Sequence, residues 1–338
     1  MLVRRTVTES LTPLEGVDAL FVDLDGVVYR GADAIPYAVE SINAAGLPVG
    51  YITNNASRTD AAVAEHLTGF GLHAAASDIV TSPQAAIRIL AELVAPGSTI
   101  LVVGGEGLTS VVAAAGFTVT RSSDDQPAAV IQGFAPEVGW AQLAEAAYAL
   151  QGVNSSRPWV ATNTDWTIPQ AKGNAPGNGT LVSAVHTAIG RLPVVAGKPE
   201  VAIFEEAVRR FGTSNALMIG DRLDTDILGA NRAGMKSALV LTGIDQAKQV
   251  LAAVAAERPT YILEDLRDLH VAYPTAVESV DGAVVVTTVG QSVVRRDGAV
   301  LSVAASGSAI DLLRAAAAAI WSSGMPIYAL EVPAELYS

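Results

Sequence analysis

Cysteine is absent from the 338 residues of this chain. That removes disulfides, thiolate metal sites and cysteine nucleophiles together, and it makes an oxidising compartment unnecessary. Basic residues are scarce. Lys and Arg number 21 against 34 Asp and Glu, a formal charge of −13. A nucleic-acid partner needs a basic face for the phosphate backbone, so none is expected. Long apolar runs are also missing. Half of the residues are hydrophobic, yet uncharged stretches such as 173–190 are broken by Gly, Pro, Asn and Ser. No run reaches the length of a membrane span. The start, MLVRRTVTESL, has two arginines and no apolar segment behind them, which does not fit a secretory signal. The expectation is a soluble cytoplasmic protein, long enough for two or three domains.

Several motifs are absent as well. The histidines His66, His73, His186 and His270 are scattered and make no metal spacing. No G-x-S-x-G elbow is present. Gly104-Gly105-Glu106-Gly107 is not G-x-G-x-x-G, and no acid follows at ribose distance, so a dinucleotide site is not expected.

What is present begins with 21-FVDLDGVVYRG-31. An apolar strand, 19–22, ends in Asp23, and Asp25 and Gly26 follow. Two acids delivered into a loop by a buried strand are costly for packing alone. The arrangement makes sense if a cation sits there, with one acid a nucleophile and the other a proton carrier. Further along, 51-YITNNASR-58 ends a second apolar strand in Thr53, Asn54 and Asn55. In 195-VAGKPE-200, Lys198 precedes Pro199 and a helical stretch. In 216-ALMIGDRLDTDI-227 a third strand ends in Gly220, Asp221 and Arg222, then Asp224 and Asp226. Each motif lies where a strand gives way to a loop, the ligand-binding edge of an open parallel α/β sheet.

The rhythm along the chain agrees. Strand 18–23, a helix near 36–45, strand 48–53, a helix over 59–69 capped by Ser57 or Thr59, strand 79–80 and a helix over 83–94 alternate as in a doubly wound sheet. From about 97 a second α/β unit follows: strand 99–103, a helix to about 115, strands near 117–120 and 128–133, helix 138–151 and strand 158–162. A loop over 163–179 and a helix over 180–189 close it. The first rhythm then resumes to about 270. The last 65 or so residues read as strands near 283–288, 291–295 and 299–304, with a hairpin turn at Asp297-Gly298, then a helix over 309–322 and a strand over 326–332.

The order D-x-D, Thr, Lys, G-D-x-x-x-x-D resembles the haloacid dehalogenase-like (HAD) phosphohydrolases over residues 16–270. The details D-x-D-G-V, T-N-N, G-K-P and G-D-R-L-x-T-D resemble the branch of p-nitrophenyl phosphate, phosphoglycolate, pyridoxal-phosphate and glycerol-3-phosphate phosphatases. Actinobacterial glycerol-3-phosphate phosphatases, with their extra C-terminal domain, are the nearest pattern. The resemblance implies an α/β fold: a Rossmann-like doubly wound parallel-sheet core from 1–95 plus 194–273, an inserted α/β cap over 96–193, and a small C-terminal α+β unit over 274–338. That last unit vaguely resembles part of an acetyltransferase-like fold, but it lacks the glycine-rich pyrophosphate loop, so acetyl-CoA binding is not expected.

The resemblance also implies roles. Asp23 is the expected nucleophile, forming an aspartyl-phosphate, and Asp25 the general acid and base. Mg²⁺ would be held by Asp23, the main-chain carbonyl of Asp25, and Asp221, with Asp226 behind them. Asp224 reads as a solvated helix-start acid and Arg222 as its neighbours' ion-pair partner. Gly26 lets backbone N–H groups approach the phosphate. Thr53 and Asn54 would hold phosphoryl oxygens by hydroxyl and backbone N–H, Asn55 would orient Asp25, and Lys198 would neutralise charge. The cation and Lys198 reverse the local field of an otherwise acidic chain. Asn163, Asp165, Trp166, Thr167 and Pro169 are the cap-loop candidates for the leaving group, although Trp166 also reads as core. Pyridoxal phosphatases place a His near Thr167-Ile168, a departure that disfavours pyridoxal phosphate.

The expected activity is thus Mg²⁺-dependent hydrolysis of a small phosphorylated metabolite, glycerol 3-phosphate first. Phosphoglycolate, pyridoxal phosphate, a sugar phosphate or a nucleotide are the alternatives. A receiver-like or scaffold protein without turnover is the alternative of another class. No membrane partner is expected, and a homodimer is left open.

Overall fold

The computed structural model describes residues 11–55, 58–154, 156–170 and 172–337. Residues 1–10 and Ser57, named above, lie outside the described residues, as does the side chain of Pro169. The chain forms two compact units, one made of residues up to Pro48 together with Asn215 onward, the other of Val49–Ser214.

In the first unit four parallel strands run in the order Tyr261–Leu263, Lys236–Val240, Ala216–Gly220, Ala19–Val22. Ala19 is opposite Ala216 and Val22 opposite Ile219. Asp23 and Asp221 therefore leave the sheet side by side at its carboxyl edge, and the Asp23 N–H bonds Ile219 O at 2.9 Å. Ala19 to Val22 and Ala216 to Gly220 are buried throughout, as strands covered on both faces must be.

The C-terminal residues of this unit form an antiparallel sheet in the order Val277–Asp281, Val284–Val289, Ser292–Asp297, Val300–Ala305. The helix Ala309–Ser322 packs on its two middle strands. The expected strand over 326–332 is instead a short 3-10 turn, Ile327–Ala329, and only Glu331 bridges to Val300. The first strand, Val277–Asp281, has no apolar alternation and is exposed along its whole length, so its sequence gave no signal. One contiguous core joins this part to the parallel sheet: Leu223, Ile227, Leu239 and Ile262 share it with Val294, Leu313, Ala316 and Ile320. Arg314, buried in that seam, donates to Ile262 O at 2.9 Å and to Asp268 and Asp311 at 3.0 Å each.

In the second unit five parallel strands run in the order Val194–Val195, Trp159–Ala161, Ala129–Gln132, Thr99–Val103, Thr118–Thr120. A further parallel pair joins Val49–Thr53 to Ile79–Thr81. The helix after Arg58 is Asp60–Gly69, capped by the Thr59 hydroxyl, which accepts the Ala62 N–H. The stretch expected as an open loop, 163–179, contains a hairpin, Thr167–Gln170 with Gly173–Pro176. Pro169 in one arm, and Gly173 and Pro176 in the other, hide it from a strand template. The helix expected from 180 begins at Asn178.

Candidate active site

The acids of the first unit converge. One carboxylate oxygen from each of Asp23, Asp221 and Asp226 lies within 4.8 Å of the others. Asp221 and Asp226 are buried, at 2% and 1% exposure. Asp23 and Asp221 are set by adjacent strand ends. Asp226 is set by a π-type turn, Leu223–Ile227, in which the Ile227 N–H reaches back to Arg222 O at 3.2 Å. Such wide turns recur at functional sites. Backbone donors fix the acids: Ile244 N–H donates to Asp221 Oδ2 at 2.7 Å, and Arg222 N–H to Asp226 Oδ2 at 3.2 Å.

Glycines make the room. Gly26 adopts φ +85°, a left-handed conformation, and a methyl group on it would overlap the Asp221 carboxylate. A methyl group at Gly243 would do the same, and one at Gly220 would strike Asp226. Three carboxylates this close repel each other and resist burial. A hard divalent cation with oxygen ligands removes both penalties, and the donor set is all carboxylate.

Asp25, two residues past Asp23, is exposed. Its loop is held by Gly26 N–H to Tyr29 O at 2.9 Å and by the Thr242 hydroxyl to Gly26 O at 2.7 Å. The Arg30 guanidinium caps Thr242 O. Arg222 grips the exposed Asp224, at 2.8 and 3.0 Å.

Asp245 is a residue that sequence reading passed over. Its Oδ2 accepts the Leu223 N–H at 2.6 Å, while its own N–H bonds Asp221 O at 3.1 Å, so it staples its own loop to the one that carries Asp221 and Asp226. Burial pushes its carboxyl above the ordinary range, and the charges of Asp224 and Asp226 add to this against the Leu223 hydrogen bond. No motif marks it. Only its place five residues after the strand Lys236–Val240, beyond Gly243, could have drawn attention.

The second unit holds the remaining motif residues. Thr53 ends its strand buried, and its hydroxyl oxygen accepts the Asn55 N–H at 3.1 Å, leaving its own hydrogen to donate. Lys198 is 4% exposed, with Nζ 3.4 Å from Ile52 O. It precedes the helix Val201–Phe211 by three residues. Asn54, Asp165 and the Lys198 backbone are joined by hydrogen bonds. Trp166 is 67% exposed, which overturns its reading as core. Thr167 is exposed at the start of the hairpin, opposite Pro176.

Comparison with known proteins agrees with this layout. A haloacid dehalogenase-like hydrolase family model matches residues 20–118, and a second HAD hydrolase-like model matches 195–269. The chain is 42% identical to D-glycerol 3-phosphate phosphatase of Mycobacterium tuberculosis, over 90% of this chain and 86% of that one. The chain belongs to the haloacid dehalogenase-like hydrolases. Within that family it is a phosphoric monoester hydrolase. It is 33% identical to acid sugar phosphatase of Staphylococcus aureus, over 74% of this chain and 95% of the relative. The crystal structure of the M. tuberculosis glycerol phosphate phosphatase in complex with magnesium superposes with a TM-score of 0.81 at 40% identity, covering 94% of each chain. Among the described residues, no helix of this haloacid dehalogenase-like hydrolase is long and apolar enough to cross a membrane.

Proposed function

We propose that the chain is a Mg²⁺-dependent phosphatase that hydrolyses glycerol 3-phosphate in the cytoplasm. The observation that carries the reading is the cluster of Asp23, Asp221 and Asp226 carboxylates within 4.8 Å, at the carboxyl edge of a parallel sheet. The likeness to the M. tuberculosis enzyme supports the substrate.

Asp23, Asp221 and Asp226 would hold Mg²⁺, with the main-chain carbonyl of Asp25. The bound cation supplies charge neutralisation for the phosphoryl oxygens and for the carboxylates themselves. Asp23 attacks phosphorus, the P–O bond to glycerol breaks, and an aspartyl-phosphate forms. Asp25, exposed two residues beyond the nucleophile, gives its proton to the departing alkoxide. It then takes one from the water that hydrolyses the intermediate. Thr53 donates its hydroxyl hydrogen to a phosphoryl oxygen, the Asn54 backbone N–H serves a second, and Lys198 balances the charge. Asn55 steers Asp25. Residues 96–193 act as the substrate-selecting unit, with the exposed Trp166 and Thr167 as leaving-group contacts.

The test is phosphate release from a panel of phosphomonoesters with Mg²⁺ and with EDTA, using Asp23→Asn as control. Metal-dependent release that ranks glycerol 3-phosphate first and vanishes in the variant is expected. Equal or better turnover of phosphoglycolate or a sugar phosphate would replace the substrate, and metal-independent release would remove the mechanism.

A further inference from the structure

We infer that Asn54 is a positioning residue: its side chain latches the loop around Asp165 to the backbone of Lys198. The inference rests on the phosphatase reading above, since it states how that reaction's lysine is held.

Asn54 Nδ2 stands 3.1 and 3.2 Å from the two carboxylate oxygens of Asp165 and 3.0 Å from the carbonyl oxygen of Lys198. Its Oδ1 accepts the Lys198 N–H at 2.8 Å. A primary amide has two hydrogens and one oxygen to offer, so both ends of this side chain are engaged. The N–H and the C=O of one residue, Lys198, are held by a single amide. That fixes the peptide planes on both sides of the Lys198 Cα, and so the point from which its side chain starts. The main chain of Asn54 is gripped in turn. Its carbonyl accepts from Ser82 Oγ and Asn163 Nδ2, each at 2.8 Å. Asn163 Oδ1 accepts the Asp165 N–H at 3.2 Å, and Asn178 Nδ2 donates to Asn163 O at 2.7 Å. A methyl group at Gly197 would strike Asn54 Oδ1, so the close approach depends on glycine there.

Asp165 is thereby drawn into a different role from a leaving-group contact. Both of its oxygens face one nitrogen of Asn54, so its orientation is set by the latch and not by an incoming ester. A hydrogen bond to an ionised carboxylate is also the stronger kind. The buried amide and the charged loop hold each other, and the lysine between residues 196 and 200 inherits that rigidity.

A reciprocal exchange tests the latch. Asn54→Asp sets two carboxylates against each other. We expect kcat to fall about ten- to a hundred-fold, equally for p-nitrophenyl phosphate and glycerol 3-phosphate, with KM within about two-fold. The half-saturating Mg²⁺ concentration should stay within about two-fold, because the acid cluster lies on other segments. Adding Asp165→Asn restores a donor–acceptor pair of opposite polarity and should recover about ten-fold of the loss. Should Asn54→Asp not fold, Asp165→Ala removes the latch without repulsion and should show the same fall in kcat at constant KM. A double variant no better than Asn54→Asp, or an Asp165→Ala enzyme at wild-type kcat, would overturn the inference. The wild-type enzyme in the same assay separately tests the phosphatase reading. If it releases no phosphate, the thermal midpoints of the four proteins decide the latch: recovery in the double variant upholds it and simple additivity sinks it.

Discussion

Two regions of the molecule bury acids and treat them in opposite ways. Glu206, in the helix Val201–Phe211, has a side chain only 5% exposed and meets Arg209 at 2.7 Å and Arg210 at 3.0 Å. Burial pushes its carboxyl up, but the hydrogen bonds and charges of both arginines prevail and hold it below the ordinary range. Asp221 and Asp226 are buried as deeply, yet the neighbour they share is a third acid, Asp23. The arginine of their own motif, Arg222, turns its guanidinium to the exposed Asp224. A buried acid matched by cations from the chain is a stabilising element. A buried cluster of like charge lowers stability and is a place for a cation from solution. The contrast separates a structural acid from a functional one without reference to any relative.

The contrast can be broken most sharply at Asp23. Asp23→Asn should lower turnover at least about a thousand-fold, since it removes the attacking atom. In EDTA the same variant should unfold no earlier than wild type, because one of three repelling charges is gone. Turnover above about one per cent would end the nucleophile assignment. Asp221→Asn comes next. It should raise the half-saturating Mg²⁺ concentration at least about ten-fold, while raising the thermal midpoint in EDTA. An unchanged metal titration would take Asp221 out of the cation site.

Glu206→Gln should move stability the other way. The uncharged side chain loses both arginine contacts in a buried setting, and about 1–3 kcal/mol of stability at neutral pH should go with them. The pH dependence follows from the direction of the shift. A carboxyl whose folded pKa lies below its unfolded one contributes stability above the unfolded value and loses it as pH falls through the folded one. The gap between wild type and Glu206→Gln should therefore close as the pH drops below about 4. Chemical denaturation at several pH values would show this. A constant gap would mean that the pair's charge is not what stabilises the helix.

Much of this was legible in the sequence because the information is local. Asp23, Asp221 and Lys198 each follow a strand by one to three residues and Thr53 ends one, so every one of them stands at a strand's carboxyl end. What was illegible is long-range or irregular. The partners of Asn54 lie 111 and 144 residues away, and a T-N-N run reads as turn chemistry until those loops are folded. The hairpin Thr167–Gln170/Gly173–Pro176 is built from residues that normally end strands. The segment 326–332 has strand-like composition, but Pro326 can donate no ladder hydrogen bond and the chain turns instead. Asp245 carries no motif and gains its role only because Leu223 and Asp221 fold against it.

The smallest effect is expected at Asp224, the acid of the same loop that lies between the two kinds. Asp224 and Arg222 are 58% and 39% exposed, and such pairs contribute only about 0–1 kcal/mol. Asp224→Ala loses that contact. It also relieves two neighbours: burial is the first cause that raises the carboxyls of Asp245 and Glu257, and the charge of Asp224 is a further one. The loss and the relief oppose each other, so the net change should stay within about 0.5 kcal/mol. The relief requires Asp245 and Glu257 to be ionised. Relative to wild type, Asp224→Ala should therefore look slightly more stable at high pH than at mildly acidic pH, and its Mg²⁺ titration should stay within about two-fold of wild type. A Mg²⁺ shift as large as that of Asp221→Asn would place this exposed acid inside the cation site. Burial would then no longer be what divides the functional acids of the loop from the solvated one.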